Sequence, residues 1–132
     1  MKHLLITTIA AVVLVGCSKP PPPDISIHDA AGDGNIEAVK QHLAAGTDVD
    51  AKNQWRATPL IKAAREGHKA ISELLINNEA DLNVKNVEGK TPLDYAIENN
   101  HTNIADLLRQ HGGKTGKELE AKKRHIGWQR NR

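Results

Sequence analysis

No phenylalanine occurs among the 132 residues; tyrosine, methionine and cysteine appear once each and tryptophan twice. A core must therefore be built from Leu, Ile, Val and Ala, which suits thin layers of small helices and excludes an interior filled by aromatic rings. The lone thiol, Cys17, cannot form a disulfide within the chain, and no second cysteine is present to build a metal cluster. The longest apolar run, Leu4 to Val15, falls well short of the ~20 residues that a membrane-spanning helix needs. Histidines 28, 42, 68, 101, 111 and 125 make no H-x-H or H-E-x-x-H arrangement, and no G-x-S-x-G, Walker or dinucleotide fingerprint is present. The expectation is a protein that is not an enzyme and uses neither cofactor nor metal.

Charge is scarce in sum but unevenly placed. The formal balance is +2; Ser18 to Gly113 carries ten Lys/Arg against fourteen Asp/Glu, and Lys114 to Arg132 seven against two. The body is mildly acidic and the tail basic. The N-terminus has its own pattern: a basic Lys2, the apolar Leu4–Val15 run, then small residues, which is the shape of a secretory signal. After it come Ser18-Lys19 and four prolines, Pro20 to Pro23, expected to form a short polyproline rod of ~3.1 Å per residue.

The segment Leu14-Val15-Gly16-Cys17 resembles the lipobox of bacterial lipoprotein signal peptides. That resemblance implies a diacylglyceryl group on Cys17, cleavage just before it, and membrane anchoring through the acyl chains. It divides the chain into a signal peptide (1–16), a lipidated cysteine with its proline-rich linker (17–24), a central domain (25–113) and a basic tail (114–132). Because Ser18 rather than Asp follows the cysteine, the resemblance also implies the outer membrane, facing the periplasm, in a Gram-negative cell.

The central domain repeats. Thr58-Pro59-Leu60 returns as Thr91-Pro92-Leu93, 33 residues later, and Gly34/Gly67, Asp48/Asp81 and Ile71-Leu74-Leu75/Ile104-Leu107-Leu108 keep the same interval. A fixed period of this size is the signature of a stacked array. Each unit decodes physically. Thr58 suits a helix N-cap and Pro59 the first helical position. Ala63 and Ala64 allow close approach of the next unit. Gly67 ends the first helix, and Lys69 to Asn77 forms a second, with Ile71, Leu74 and Leu75 on one face. Asp81 to Lys90, with Asn86 and Gly89, reverses the chain in a hairpin.

TPLIKAAREGH (from Thr58), TPLDYAIENNH (from Thr91) and ISIHDAAGDGN (from Ile25) together resemble ankyrin repeats, over Ile25 to about Gly113. The resemblance implies an all-α solenoid of three helix-turn-helix repeats with short hairpin fingers. The Thr-Pro-Leu-His motif is nowhere complete. His28 keeps its last position, but Ile61 and Asp94 replace it elsewhere, which implies that the hydrogen bond the motif makes within its own turn is lost. Gln41 and His42, standing where Leu74 and Leu75 stand later, read as polar capping substitutions on the outer face of the first unit, with Arg109, Gln110 and His111 as the other cap. His68 and His101, one period apart, read as scaffold rather than ligands.

By the same resemblance, partners bind on finger tips and first helices: Gln54, Trp55, Ala57, Arg65 and Glu66 in the second unit, Val87, Glu88, Lys90, Glu98 and Asn99 in the third. Arg56 joins them, standing where the next unit has Gly89 and where a positive φ is wanted; Trp55 beside it has the composition of a hot spot. The implied function is recognition of another envelope protein by a monomeric, lipid-anchored adaptor or protector, without nucleic acid. The alternative gives the work to the tail, with Lys122, Lys123, Arg124 and Trp128 on anionic lipid, lipopolysaccharide or cell wall and the stack as a spacer.

Overall fold

The computed structural model describes residues 20–130, with side chains described through Arg124. The signal-like run, the lipobox and Cys17 lie outside the described residues. Pro20 to Pro23 carry no regular secondary structure, and seven α-helices follow: α1 (Ile27–Asp33), α2 (Ile36–Ala44), α3 (Pro59–Glu66), α4 (Lys69–Asn77), α5 (Pro92–Glu98), α6 (Thr102–Gln110) and α7 (Gly116–Arg130). No strand occurs among the described residues, and none of their helices is long and apolar enough to cross a membrane.

Each repeat is a pair of helices with punctuation set by sequence. Ser26, Thr58 and Thr91 cap α1, α3 and α5 by accepting a backbone N–H three residues on, and Pro59 and Pro92 occupy the first turn, where a missing N–H costs nothing. First helices α1, α3 and α5 stack in one row, and α2, α4 and α6 in a second. The first row packs more intimately because Ala30, Ala31, Ala63, Ala64 and Ala96 are wholly buried and hold neighbouring backbones close. The core between the rows is aliphatic: Val39, Leu60, Ile71, Leu75, Leu93, Ile104 and Leu108.

Polar bonds lock adjacent units at the same interval. His68 Nε2 donates to the Gly32 carbonyl (2.9 Å) and His101 Nε2 to the Arg65 carbonyl (3.1 Å), so the scaffold role of these two rings is a hydrogen bond to the preceding unit. On the finger side, the Asp81 N–H donates to Asp50 Oδ1 (2.9 Å) and the Lys114 N–H to Asn83 Oδ1 (2.8 Å). Every buried side-chain N or O among the described residues finds a partner.

Two expectations need correction. Gln41 is exposed as a cap should be, but His42 is buried, donating from Nε2 to the Ile25 carbonyl (2.6 Å), with Nδ1 3.2 Å from the Thr47 hydroxyl. Helical phase points position 42 inward as it points Leu75 inward; the ring fits because both nitrogens are satisfied. Asp94 does not lose the motif's bond: its carboxylate accepts the Thr91 N–H (2.9 Å) while Thr91 Oγ1 accepts the Asp94 N–H, a reciprocal capping box. Ile61 cannot make that bond, and His28 instead donates from Nε2 to the Ala51 carbonyl (2.6 Å). The tail is helical from Gly116. Thr115 and Glu118 form a second capping box, which holds the Glu118 carboxyl below its usual range. The Lys114 carbonyl accepts from Thr91 Oγ1 (2.7 Å), and the Gly116 N–H donates to Asp94 (2.8 Å).

Gly67 carries α3 into the left-handed region (φ 86°), and a Cβ there would stand 2.7 Å from Cε1 of His101. Gly89 has a similar φ of 76° with nothing within 4 Å. In urea titrations Gly89→Ala should cost about 1 kcal/mol, the left-handed penalty alone. Gly67→Ala should cost distinctly more, because the histidine that ties two repeats must move. Equal losses would refute this account. Asp50 offers a second check. Desolvation pushes its carboxyl up from the usual range, with help from Asp81 and Asp48 and against the Asp81 N–H bond. A raised carboxyl favours folding when protonated and opposes it once ionised. Asp50→Asn keeps an acceptor, as Asn83 does one repeat on, so it should stabilise the protein at pH 7 by less than about 1 kcal/mol. That gain should vanish as pH falls through the carboxyl's titration.

Candidate functional site: the groove between fingers and first helices

The two fingers are built alike. In the first, Asn53 Oδ1 accepts the N–H groups of Trp55 and Ala57, both at 3.0 Å; in the second, Asn86 Oδ1 accepts those of Glu88 (3.0 Å) and Lys90 (3.1 Å). Backbone bonds Asn53 N–H to Ala57 and Asn86 N–H to Lys90 close each loop. The fingers are joined to each other where the Val87 N–H donates to the Trp55 carbonyl at 3.0 Å. Trp55 is thus fixed at its amide and at its carbonyl, yet 57% of its surface is open, and Val87 beside it is 58% exposed. Among the described residues Ile25 and Ile97 are the other exposed large hydrophobics, both less open than these two.

Arg56 has φ 59°, left-handed backbone that costs a side-chain-bearing residue about 1–2 kcal/mol. The Asn53–Ala57 loop needs that turn, and Gly89 supplies it without strain one repeat later.

Behind the fingers lies a groove of about 270 Å³. Its floor is a small apolar cluster, Ala57, Ile61 and Tyr95. Its walls include Trp55 on the finger side, Lys62 and Arg65 on α3, and Glu88 opposite. The Tyr95 hydroxyl accepts from Asn86 Nδ2 (2.8 Å), and its ring lies 5.7 Å from the Arg65 guanidinium and 5.3 Å from the Lys90 ammonium. Lys90 donates to Glu98 (2.9 Å) and stands 3.6 Å from Glu88; the hydrogen bond to Glu98 raises its titration point.

The expected partner-binding residues mostly gather here. Gln54, Trp55, Arg56, Arg65, Glu66, Val87, Glu88, Glu98 and Asn99 are exposed around the groove face, and Lys90 is half-buried. Ala57 is different: at 6% exposure it packs on Ile61 and Tyr95 and offers a partner no side chain. Tyr95 was the residue not foreseen. It stands one period after Lys62 and two after Asp29, and a single tyrosine at an otherwise charged place in the first helix was the available signal.

The basic-tail residues sit elsewhere. Lys122, Lys123 and Arg124 are exposed on α7, whose few apolar residues do not gather on one face. The α7 backbone includes Trp128, whose side chain lies outside the described residues. Lys85 pairs with Glu120 and Arg109 with Glu118 (3.7 Å), so the first two turns of α7 belong to the stack. No group of three or more His, Cys, Asp or Glu among the described residues could hold a metal.

Helix pairs at a 33-residue interval, joined by bonded fingers, define a solenoid of stacked repeats. The family model for ankyrin repeats (three copies) matches residues 27–119, and the chain belongs to the ankyrin-repeat family. Among curated proteins it is 33% identical over 75 residues to the human Arf-GAP with coiled-coil, ANK repeat and PH domain-containing protein 2, covering 55% of this chain and 10% of that one. It is 33% identical to Ankyrin repeat domain-containing protein 37 of Bos taurus, covering 68% and 54% respectively. A third relative is Ankyrin repeat-containing protein P1E11.10 of Schizosaccharomyces pombe, 31% identical over 65% of this chain and 41% of that protein. The chain spans about a tenth of the Arf-GAP relatives' length and about half of the bovine protein's. The family places the stack among non-catalytic protein–protein interaction domains, with another protein as the general class of partner.

Replacing Arg56 by Gly should raise stability by about 0.5–1 kcal/mol, because it relieves the left-handed strain, less what glycine's freedom in the unfolded chain takes back. Trp55→Ala should change it by about 1 kcal/mol or less, as for a mostly exposed side chain. A large loss from either substitution in thermal unfolding would make the pair structural.

Proposed function

We propose that this chain is a lipid-anchored interaction module of the bacterial envelope, held in the membrane through Cys17 and recognising another envelope protein with its fingers and first helices. The observation that carries the recognition half is Trp55: a large aromatic left open, beside open Val87, on a backbone fixed at both its polar groups. Preorganised aromatics of this kind contribute most of the binding energy at interfaces, because little freedom is lost when they dock. The anchoring half rests on the sequence, where Lys2, the apolar run and Leu14-Val15-Gly16-Cys17 follow one another in the lipoprotein order. Two or more acyl chains, at ~0.8 kcal/mol per buried methylene, hold a protein stably. Ser18 favours the outer membrane, and the prolines stand the stack off its surface.

The alternative, in which the tail grips an anionic surface, draws on exposed Lys122, Lys123 and Arg124 beyond the part of α7 that is tied to the stack. With no apolar face on α7, such a grip would be electrostatic and fade with salt.

Two experiments test the two halves. Affinity capture from envelope extracts should recover a partner with the wild type and lose it with Trp55→Ala, Arg56→Ala; a partner indifferent to that variant refutes the groove as the binding face. A chain ending at Ala121 keeps the docked turns of α7 and removes the basic cluster, so retention of that partner also separates the two readings. Labelled fatty acid should enter the wild type and not Cys17→Ser, and density-gradient fractions should place the wild type with the outer membrane and Ser18→Asp nearer the inner. An unlabelled wild type would overturn the anchor.

A further inference from the structure

The turn between α5 and α6 departs from the repeat at two places at once. Where the earlier units have Gly34 and Gly67, the third has Asn100; where they have Ile36 and Lys69, it has Thr102. Together the two changes spell Asn100-His101-Thr102, and no other asparagine in the sequence is followed two residues on by serine or threonine. That pairing of an amide with a hydroxyl is the acceptor pattern for an N-linked sugar, and it calls for a surface turn in an exported chain.

The fold supplies such a turn. Asn100 and Thr102 are both exposed, and Asn100 holds the left-handed backbone (φ 60°). The turn is held by other groups: Asn99 Nδ2 donates to the Tyr95 carbonyl (2.9 Å), His101 Nε2 to the Arg65 carbonyl (3.1 Å), and the Asn100 N–H to the Ile97 carbonyl (3.1 Å). Among the described residues neither the Asn100 amide nor the Thr102 hydroxyl enters a hydrogen bond, whereas Asn35, Asn53, Asn78, Asn83 and Asn86 use their side chains to hold backbone. There is also room. A Cβ at Gly34 would stand 2.8 Å from His68, and one at Gly67 2.7 Å from His101, because the next unit's histidine lies on each glycine. The third unit is followed by α7 rather than by another helix pair, so nothing of the kind covers position 100. Ile97, standing where Ala31 and Ala64 are wholly buried, is 45% exposed for the same reason.

We propose that Asn100 is a site of N-linked glycosylation, taking its sugar from a saccharide joined through pyrophosphate to a polyisoprenoid lipid. Asn100 Nδ2 attacks the anomeric carbon; a C–N bond forms as the C–O bond to phosphate breaks. The lipid pyrophosphate leaves with that bond's electron pair, and Nδ2 gives up one proton. Thr102 supplies the hydroxyl that the acceptor pattern requires. Helices of seven and nine residues do not persist alone, so the segment is open to a transferase before the stack closes, and the finished turn leaves the product in solvent. The proposal rests on export, the anchoring half of the reading above, and not on the groove.

The test takes the full chain from the envelope of its own cells to mass spectrometry. Lys90 and Arg109 flank a single tryptic peptide, residues 91–109, that contains the whole turn. The wild-type peptide should carry at least one sugar residue on Asn100. Thr102→Ala should return it bare, and Thr102→Ser should keep the sugar. Asn100→Gly, which restores the residue of the other two units, should lose the sugar while circular dichroism shows the helices intact. A bare wild-type peptide from a chain that carries lipid on Cys17 overturns the site and leaves export standing. Sugar that persists in Asn100→Gly or in Thr102→Ala overturns it as well, because the attachment then lies elsewhere. A wild type with neither lipid nor sugar, found in the cytoplasm, overturns both.

Discussion

Helices of seven to nine residues are too short to persist alone in water, where about 12–15 residues are marginal even for good formers. Every helix of the three repeats is of this kind, so each exists because a neighbour is packed on it. The close approach of α1, α3 and α5 through fully buried alanines makes that mutual support possible. The aliphatic core, the histidine bonds between units and the fixed spacing of the fingers all follow from it. A groove with constant geometry exists because the stack beneath permits one spacing only.

Much of this was legible because a repeat states its own rule more than once. The 33-residue interval placed α4 at Lys69–Asn77, and Thr-Pro marked where α3 and α5 begin. What escaped were features decided by a single side chain's partners. His42 looked like a polar cap by type, but inward helical phase and two available partners outweighed polarity. Asp94 looked like a lost motif, though a carboxylate three residues after a threonine cap is the capping-box pattern itself. The same pattern, Thr115-Lys117-Glu118 around Gly116, stood at the head of the tail and announced α7, but charge distracted from it.

The candidate site divides in the same way. Arg56 was readable as strained because the neighbouring repeat supplied Gly89 for comparison, and the left-handed backbone is there. Ala57 was carried over by position alone and is buried, since its neighbours Ile61 and Tyr95 close over it. The pairing of Arg65 with the Tyr95 ring could not be read, because it joins residues from two different repeats and depends on the distance between them.

The joint between the third repeat and α7 has a mechanical meaning. Thr91 and Asp94 hold the head of α5, and the same two side chains hold Lys114 and Gly116, while a Cβ at Gly116 would collide with the Gly89 carbonyl. The tail is therefore not a loose string tied to a rod. Tension on α7 would load the N-terminal cap of α5 directly, and through Tyr95 on that helix and the Val87–Trp55 bond it would reach the finger carrying Trp55. A pull from one side of the molecule and a grip on the other are thus coupled across a single repeat.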